Sequence, residues 1–158
     1  MNKLNIFAYV LIVFLLAGCG FKILDQNQLK NYKILEIRES GDKKTNFFIK
    51  NKLYNLLNSN NSTSELVINI ETYKDKAIKE KNKKNQITKY NIKINSTIEL
   101  NFMNINLKKT INLSKENFYN VNVNHNVTQN NERNSEKNII DELSQDMSNQ
   151  ILKIINEL

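Results

Sequence analysis

The sequence predicts a two-layer α+β domain, a four-stranded sheet with two helices packed on one face, in the order β-α-β-β-β-α. Two observations carry this. Tyr90, Ile92, Ile94, Ile98, Leu100 and Phe102 share one parity, while Asn91, Lys93, Asn95, Thr97, Glu99 and Asn101 fill the other. A period of two with one apolar side means a sheet covered on one face only. Near the C-terminus, Ile139, Ile140, Leu143, Met147, Ile151, Ile154, Ile155 and Leu158 recur at helical spacing. A helix with such a stripe must cover a surface, and the apolar face of the sheet supplies one.

The elements follow in chain order. Tyr32–Arg38 reads as a first, mostly buried strand, ended by Ser40-Gly41-Asp42. Gly41 is the only glycine outside 18–20, which suits a turn or the start of a helix. Residues 43–58 read as a helix, with Ile49, Leu53, Leu56 and Leu57 on one face and Phe47 and Phe48 nearby. Asn58–Ser62 breaks that pattern as a polar loop. Leu66, Ile68 and Ile70 begin the second strand and the alternation over 90–102 forms the third. Between them, Lys76–Asn85 reads as a charged hairpin tip, either a solvated turn or a basic contact for phosphate groups. Ile105, Leu107, Ile111 and Leu113 share a parity that resumes at Tyr119, Val121 and Val123. The fourth strand is therefore expected to be long, with a bulge or break at Ser114–Asn117. Residues 124–134 are polar and Asn-rich. The last helix is expected from Ser135, a suitable N-cap, to about Glu157, with Glu136, Asp141 and Glu142 near its start and Lys153 near its end.

The chain has 158 residues, a formal net charge of +7, no proline and one cysteine. Its abundance of Asn, Lys and Ile fits the codon use of an AT-rich genome. That codon use is the main reading of the positive balance, and the alternative is attraction to an anionic partner, lipid phosphate in an outer-membrane setting. Nothing in the sequence resembles a nucleic-acid-binding motif.

That single cysteine lies in LLAGCGFKIL, residues 15–24. Lys3 precedes an apolar run from Ile6 to Leu16, too short to span a bilayer, which needs about 20 residues. Residues 1–18 read as a secretory signal. Leu16-Ala17-Gly18-Cys19 looks like a bacterial lipobox, in which the cysteine takes a diacylglycerol and cleavage leaves it as an acylated first residue. Several acyl chains at Cys19 would anchor the protein stably without a transmembrane helix. Gly20 is not the Asp that in such lipoproteins marks retention at the inner membrane, so the resemblance points to the outer membrane. Residues 19–31 then serve as lipidated N-terminus and tether, and 32–158 as a single domain. With Cys19 acylated, no disulfide and no thiol metal site remain.

No catalytic constellation emerges. His125 is the only histidine, on a strand end or loop, so no histidine pair can hold a metal. There is no glycine-rich phosphate loop and no serine in a Gly-rich elbow. The carboxylate pairs Asp75/Glu80 and Asp141/Glu142 sit in charged, solvated contexts. The reading is a binding or scaffold protein, with no enzyme activity, cofactor or metal.

The order of elements, together with Cys19-Gly20-Phe21, the strand Tyr32–Arg38, the helix ending Lys52-Leu53-Tyr54-Asn55-Leu56-Leu57, the strand Gln86–Ile94 and the helix starting Ile139-Ile140-Asp141-Glu142-Leu143, resembles the lipopolysaccharide-assembly lipoprotein family, LptE (RlpB-like). The resemblance spans nearly all of 19–158. It implies a lipid-anchored, periplasm-facing protein of the outer membrane that plugs the large β-barrel LptD, helps it assemble, and assists lipopolysaccharide transport to the cell surface. The family's basic lipopolysaccharide contacts would fall at the hairpin tip and just before the last helix. There this sequence holds Lys83 and Lys84, and Arg133, with Glu132 at the position that aligns most strictly. The competing reading is a stand-alone periplasm-facing lipoprotein that binds a small ligand or an envelope component.

Overall fold

The computed structural model describes residues 32–57 and 64–158. The signal at 1–18, Cys19, the tether to 31 and the loop at 58–62 lie outside them. Four strands, β1 (Tyr32–Gly41), β2 (Ser64–Lys81), β3 (Ile87–Phe102) and β4 (Leu107–Asn120), form one sheet in the order β1-β2-β3-β4. Two helices, α1 (Lys43–Leu57) and α2 (His125–Ile155), pack on one face, giving the expected β-α-β-β-β-α order. β1 runs parallel to β2, as the α1 crossover requires, and β2-β3-β4 is an antiparallel meander.

β1 departs from the expected burial. Its register with β2 shifts between Ile34 and Glu36, so the two buried residues are Ile34 and Ile37, three apart. Leu35, the unpaired residue at the shift, is 44 % exposed, the extra residue brings Ile37 rather than Glu36 to the buried face, and the strand is mostly solvent-facing. Gly41 then serves the start of a helix. Its φ is +90°, and a Cβ there would lie 1.9 Å from the Thr72 carbonyl oxygen. Asp42 caps α1, its Oδ1 accepting the Thr45 N–H at 2.8 Å. In α1, Ile49 and Leu53 are fully buried, as their spacing predicts, while Phe47 and Phe48 remain exposed in an edge-to-face pair. The side chains of Leu56 and Leu57 lie outside what is described.

The meander is more continuous than the sequence suggests. Charged residues Lys76–Lys81 belong to β2 rather than to a hairpin tip, because the pairing with β3 runs from Leu66↔Phe102 to Lys81↔Ile87. Only 82–86 turn. β4 likewise has no break at Ser114–Asn117, since its register against β3 is unbroken from Leu107 to Asn120. The parity of Ile111 and Tyr119 continues through Lys115, which faces α2 and meets Asp146 at 2.8 Å and Glu142 at 3.7 Å. A lysine anchored to a helix replaces an apolar residue there, and that interrupts the pattern. Ile105 belongs to a short 3₁₀ turn, Met103–Ile105, rather than to the strand.

α2 begins ten residues earlier than expected. Its N-cap is Asn124, whose Oδ1 accepts the Asn126 N–H at 2.9 Å. Ser135 is buried within the helix. The added turns carry no apolar stripe and are held instead by polar contacts with β4: the Asn131 amide donates to the Asn120 carbonyl at 3.0 Å, and Glu132 accepts from the Tyr119 hydroxyl at 2.9 Å. From Ile139 onward the apolar stripe faces the sheet, with Leu143, Met147 and Ile151 fully buried. Lys153 falls in the last turn, as expected.

Candidate functional site

The basic residues singled out in the sequence occupy two separate places. Lys83 and Lys84 lie in the turn between β2 and β3. Asparagines set its shape: the Asn82 side chain accepts the N–H groups of Lys84 (2.9 Å) and Gln86 (3.0 Å), and Asn85 takes a φ of 61°. With the backbone so satisfied, both lysine side chains are left to solvent, and neither makes an ion pair among the described residues. Arg133 stands on the third turn of α2, facing α1. No hydrogen bond or ion pair among the described residues joins it to the hairpin turn.

Arg133 lines a cleft of about 490 Å³ between the two helices, together with Lys44, Phe48, Lys52, Glu136, Lys137, Ile140 and Asp141. α1 and α2 run in the same direction here, since Lys44 pairs with Glu136 and, further along both helices, Lys52 pairs with Asp141. Phe48 and Ile140 make an apolar floor, and four cations with two carboxylates form the rim. The two carboxylates are occupied by lysines. Arg133 and Lys137 are left without an ion pair among the described residues, so the rim carries uncompensated positive charge. Such a cleft suits an amphiphilic anion, with apolar surface against Phe48 and an anionic head against the guanidinium.

Arg133 was singled out through the family resemblance alone, and its setting was not legible, because Lys44, Lys52 and Lys137 converge only once two helices distant in the chain are packed. The one available signal was the contrast between α1, with four lysines and no carboxylate, and α2, with five carboxylates against three cations. Glu136 is central. It is 7 % exposed and accepts from Lys44 and, at 2.6 Å, from Lys74 of β2. Burial alone would push its carboxyl up, but the two lysines outweigh burial and hold it below the ordinary carboxylate range. Lys74 is raised in turn, chiefly by that hydrogen bond. Asp42 joins the same group, 3.7 Å from Lys74.

Glu132, beside Arg133, points elsewhere. It bonds Lys76 at 2.8 Å and Tyr119 at 2.9 Å, on the β4 side of the helix. The Lys76 ammonium also lies 4.6 Å from the Tyr90 ring centroid, and Tyr90 stacks on Tyr119. This carboxylate is a strut between helix and sheet. His125, expected on a strand end or loop, is the first residue of α2, exposed, with its Nε2 3.0 Å from the Gln129 amide nitrogen.

The fold and this cleft define a small two-layer domain with a helix pair over a four-stranded sheet, an architecture found in solved bacterial lipoproteins. Rare lipoprotein B from Shewanella oneidensis matches with a TM-score of 0.50 at 9 % identity, over 77 % of this chain and 94 % of that one. A minor lipoprotein from Acinetobacter baumannii matches with a TM-score of 0.51 at 18 % identity, over 75 % and 92 %. Lipoprotein B from Nitrosomonas europaea, solved by NMR, matches with a TM-score of 0.56 at 13 % identity, over 87 % and 93 %. The chain therefore has the rare lipoprotein B fold that its resemblance to the LptE family implied. No protein-family model and no curated protein matches it in sequence.

Proposed function

We propose that this chain is a lipoprotein, acylated at Cys19 and held at the periplasmic side of the outer membrane, that serves as plug and assembly partner of an LptD-type β-barrel in lipopolysaccharide transport. Its role is that of a scaffold rather than a catalyst. The observation that supports this reading most is the fold shared with rare lipoprotein B over most of both chains. The sheet face turned away from the helices fits the same role. On β3 it presents Asn91, Lys93, Asn95, Thr97, Glu99 and Asn101, a polar surface compatible with the polar interior of a large barrel. Lys83, Lys84 and Arg133 are the basic groups offered to lipopolysaccharide phosphates, and the cleft around Arg133 adds an apolar floor suited to the lipid portion.

A detergent pull-down of the tagged, acylated protein from outer membranes, followed by mass spectrometry, tests this. Recovery of a large β-barrel in about equal amount is the expected result. A folded protein recovered alone would transfer the cleft to a small amphiphilic ligand of a stand-alone lipoprotein.

A further inference from the structure

The connection between β3 and β4 is unusual in what it exposes. Turns between antiparallel strands are ordinarily polar, yet Met103 and Ile105 are each 55 % exposed. The shape of the turn does not require them. Asn104 fixes it to the sheet by accepting the Glu65 N–H at 3.1 Å, and Asn106 provides the left-handed residue, at φ 49°, that leads into β4. The asparagines hold the backbone while the apolar side chains face outward. Lys108 and Lys109 follow at once, both exposed and without an ion pair among the described residues. Acidic residues near this end of the sheet are Glu65, opposite Lys33 of β1, and Glu99 of β3, which pairs with Thr110 beside Lys109 and accepts from the Asn69 amide at 2.9 Å.

This turn also lies where the chain enters the domain. Tyr32, the first residue of β1, packs edge-to-face on Phe102 with ring centroids 5.5 Å apart, and Phe102 immediately precedes Met103. Cys19 is thirteen residues before Tyr32, a span that covers at most about 45 Å when fully extended. An acyl anchor at Cys19 thus holds this end of the sheet within about 45 Å of the bilayer, and the 82–86 turn lies the length of the sixteen-residue β3 further along the domain.

We propose that the Met103–Ile105 turn is a membrane-contact element that dips Met103 and Ile105 into the interface of an anionic lipid surface, with Lys108 and Lys109 against the headgroups. An exposed apolar pair beside unpaired lysines is the chemistry that such a surface recognises. The proposal rests on the acylation of Cys19. It adds a second, shallow contact that orients the domain on the membrane.

The test uses the acylated protein in vesicles of phosphatidylethanolamine and phosphatidylglycerol. Acylation blocks Cys19, so Met103→Cys or, as control, Lys83→Cys supplies the single free thiol for an environment-sensitive fluorophore. At 103 the emission should shift to shorter wavelength and be quenched by lipids brominated near the headgroup. At 83 neither should occur. Lys108→Glu with Lys109→Glu should reduce the quenching at 103. Vesicle-bound protein with an unquenched label at 103 would overturn the proposal. So would energy transfer between donor- and acceptor-labelled copies without lipid quenching, which would assign the turn to a second copy. A protein that fails to float with vesicles refutes the anchor at Cys19, and with it the docking that depends on that tether.

Discussion

Lys74 of β2 reaches across the domain to Glu136 of α2, its Nζ 2.6 Å from the carboxylate oxygen Oε1. With Lys44 on the other oxygen, this carboxylate ties sheet, α1 and α2 together at one point. Glu136→Gln keeps the shape and removes the charge. Because both lysines keep partial contact with water, the loss should fall below the roughly 3–5 kcal/mol of breaking a fully buried pair, at about 2 kcal/mol, measured by chemical denaturation. The pH dependence has a definite sign. The folded-state pKa of Glu136 is depressed, so its stabilisation is fully present above the unfolded value of about 4.3 and fades as pH falls through the folded one. Asp42 and Glu132 are depressed too and add to the same acid limb. The Gln variant should therefore lose less stability than the parent on going from pH 6 to below about pH 4. Equal slopes would show that the pair contributes nothing through its charge.

Gly41→Ala should be among the most damaging small substitutions in the domain. At φ +90° a side chain is strained by about 1–2 kcal/mol in any surroundings, and here the added carbon would also meet the Thr72 carbonyl. That carbonyl accepts the Asp42 N–H at 3.0 Å, so moving it disturbs the cap of α1. A loss of more than about 3 kcal/mol is expected from denaturant unfolding. A near-neutral result would mean that the β1–α1 junction adopts another backbone path.

Where apolar residues decide an element, the sequence was legible. The parity of Ile92, Ile94, Ile98 and Leu100, the stripe from Ile139 to Ile155 and the role of Gly41 all follow from burial or backbone sterics, and the structure agrees. The errors lie where polar contacts do the work. Lys76–Lys81 read as a tip because they are charged, yet a long antiparallel partner gives them a ladder. The Asn-rich run before Ser135 read as a loop because it has no stripe, yet Asn124 caps it and Glu132 straps it to Tyr119 and Lys76. Lys115 looked like a break because its partners, Glu142 and Asp146, are distant in sequence. The cleft at Arg133 was hidden for the same reason. Periodicity reports which face meets apolar surface, and it is silent about which lysine meets which carboxylate.

Tyr119→Phe isolates one of those straps. The hydroxyl donates to Glu132 at 2.9 Å, while the ring stacks on Tyr90 and lies under Lys76. Phenylalanine preserves the ring contacts and removes only the hydroxyl. Glu132 keeps Lys76, so the expected cost is about 1 kcal/mol. Amide exchange should quicken chiefly in the first turns of α2, residues 125–134, which have no apolar stripe to hold them. Loss of protection spread evenly over the sheet would instead make the strap part of the global core.

The two basic places can be separated by charge reversal. Arg133→Glu with Lys137→Glu inverts the free positive charge of the inter-helix cleft and leaves the Lys44–Glu136 and Lys52–Asp141 pairs intact. Lys83→Glu with Lys84→Glu does the same at the hairpin turn. All four side chains are exposed, so thermal stability should stay within about 0.5 kcal/mol of the parent in both variants. If the cleft takes an amphiphilic anion, the first pair should weaken lipopolysaccharide binding at least about tenfold at low salt, the equivalent of about 1.4 kcal/mol. The effect should shrink as salt screens the head-group contact, while the contribution of Phe48 and Ile140 persists. The turn lysines have no apolar floor beside them, so their reversal should have a smaller effect that salt abolishes. Titration of labelled lipopolysaccharide against the three proteins at two ionic strengths decides between them. A larger loss from the turn than from the cleft would place the anion contact at Lys83 and Lys84 and leave the cleft without a role in binding it.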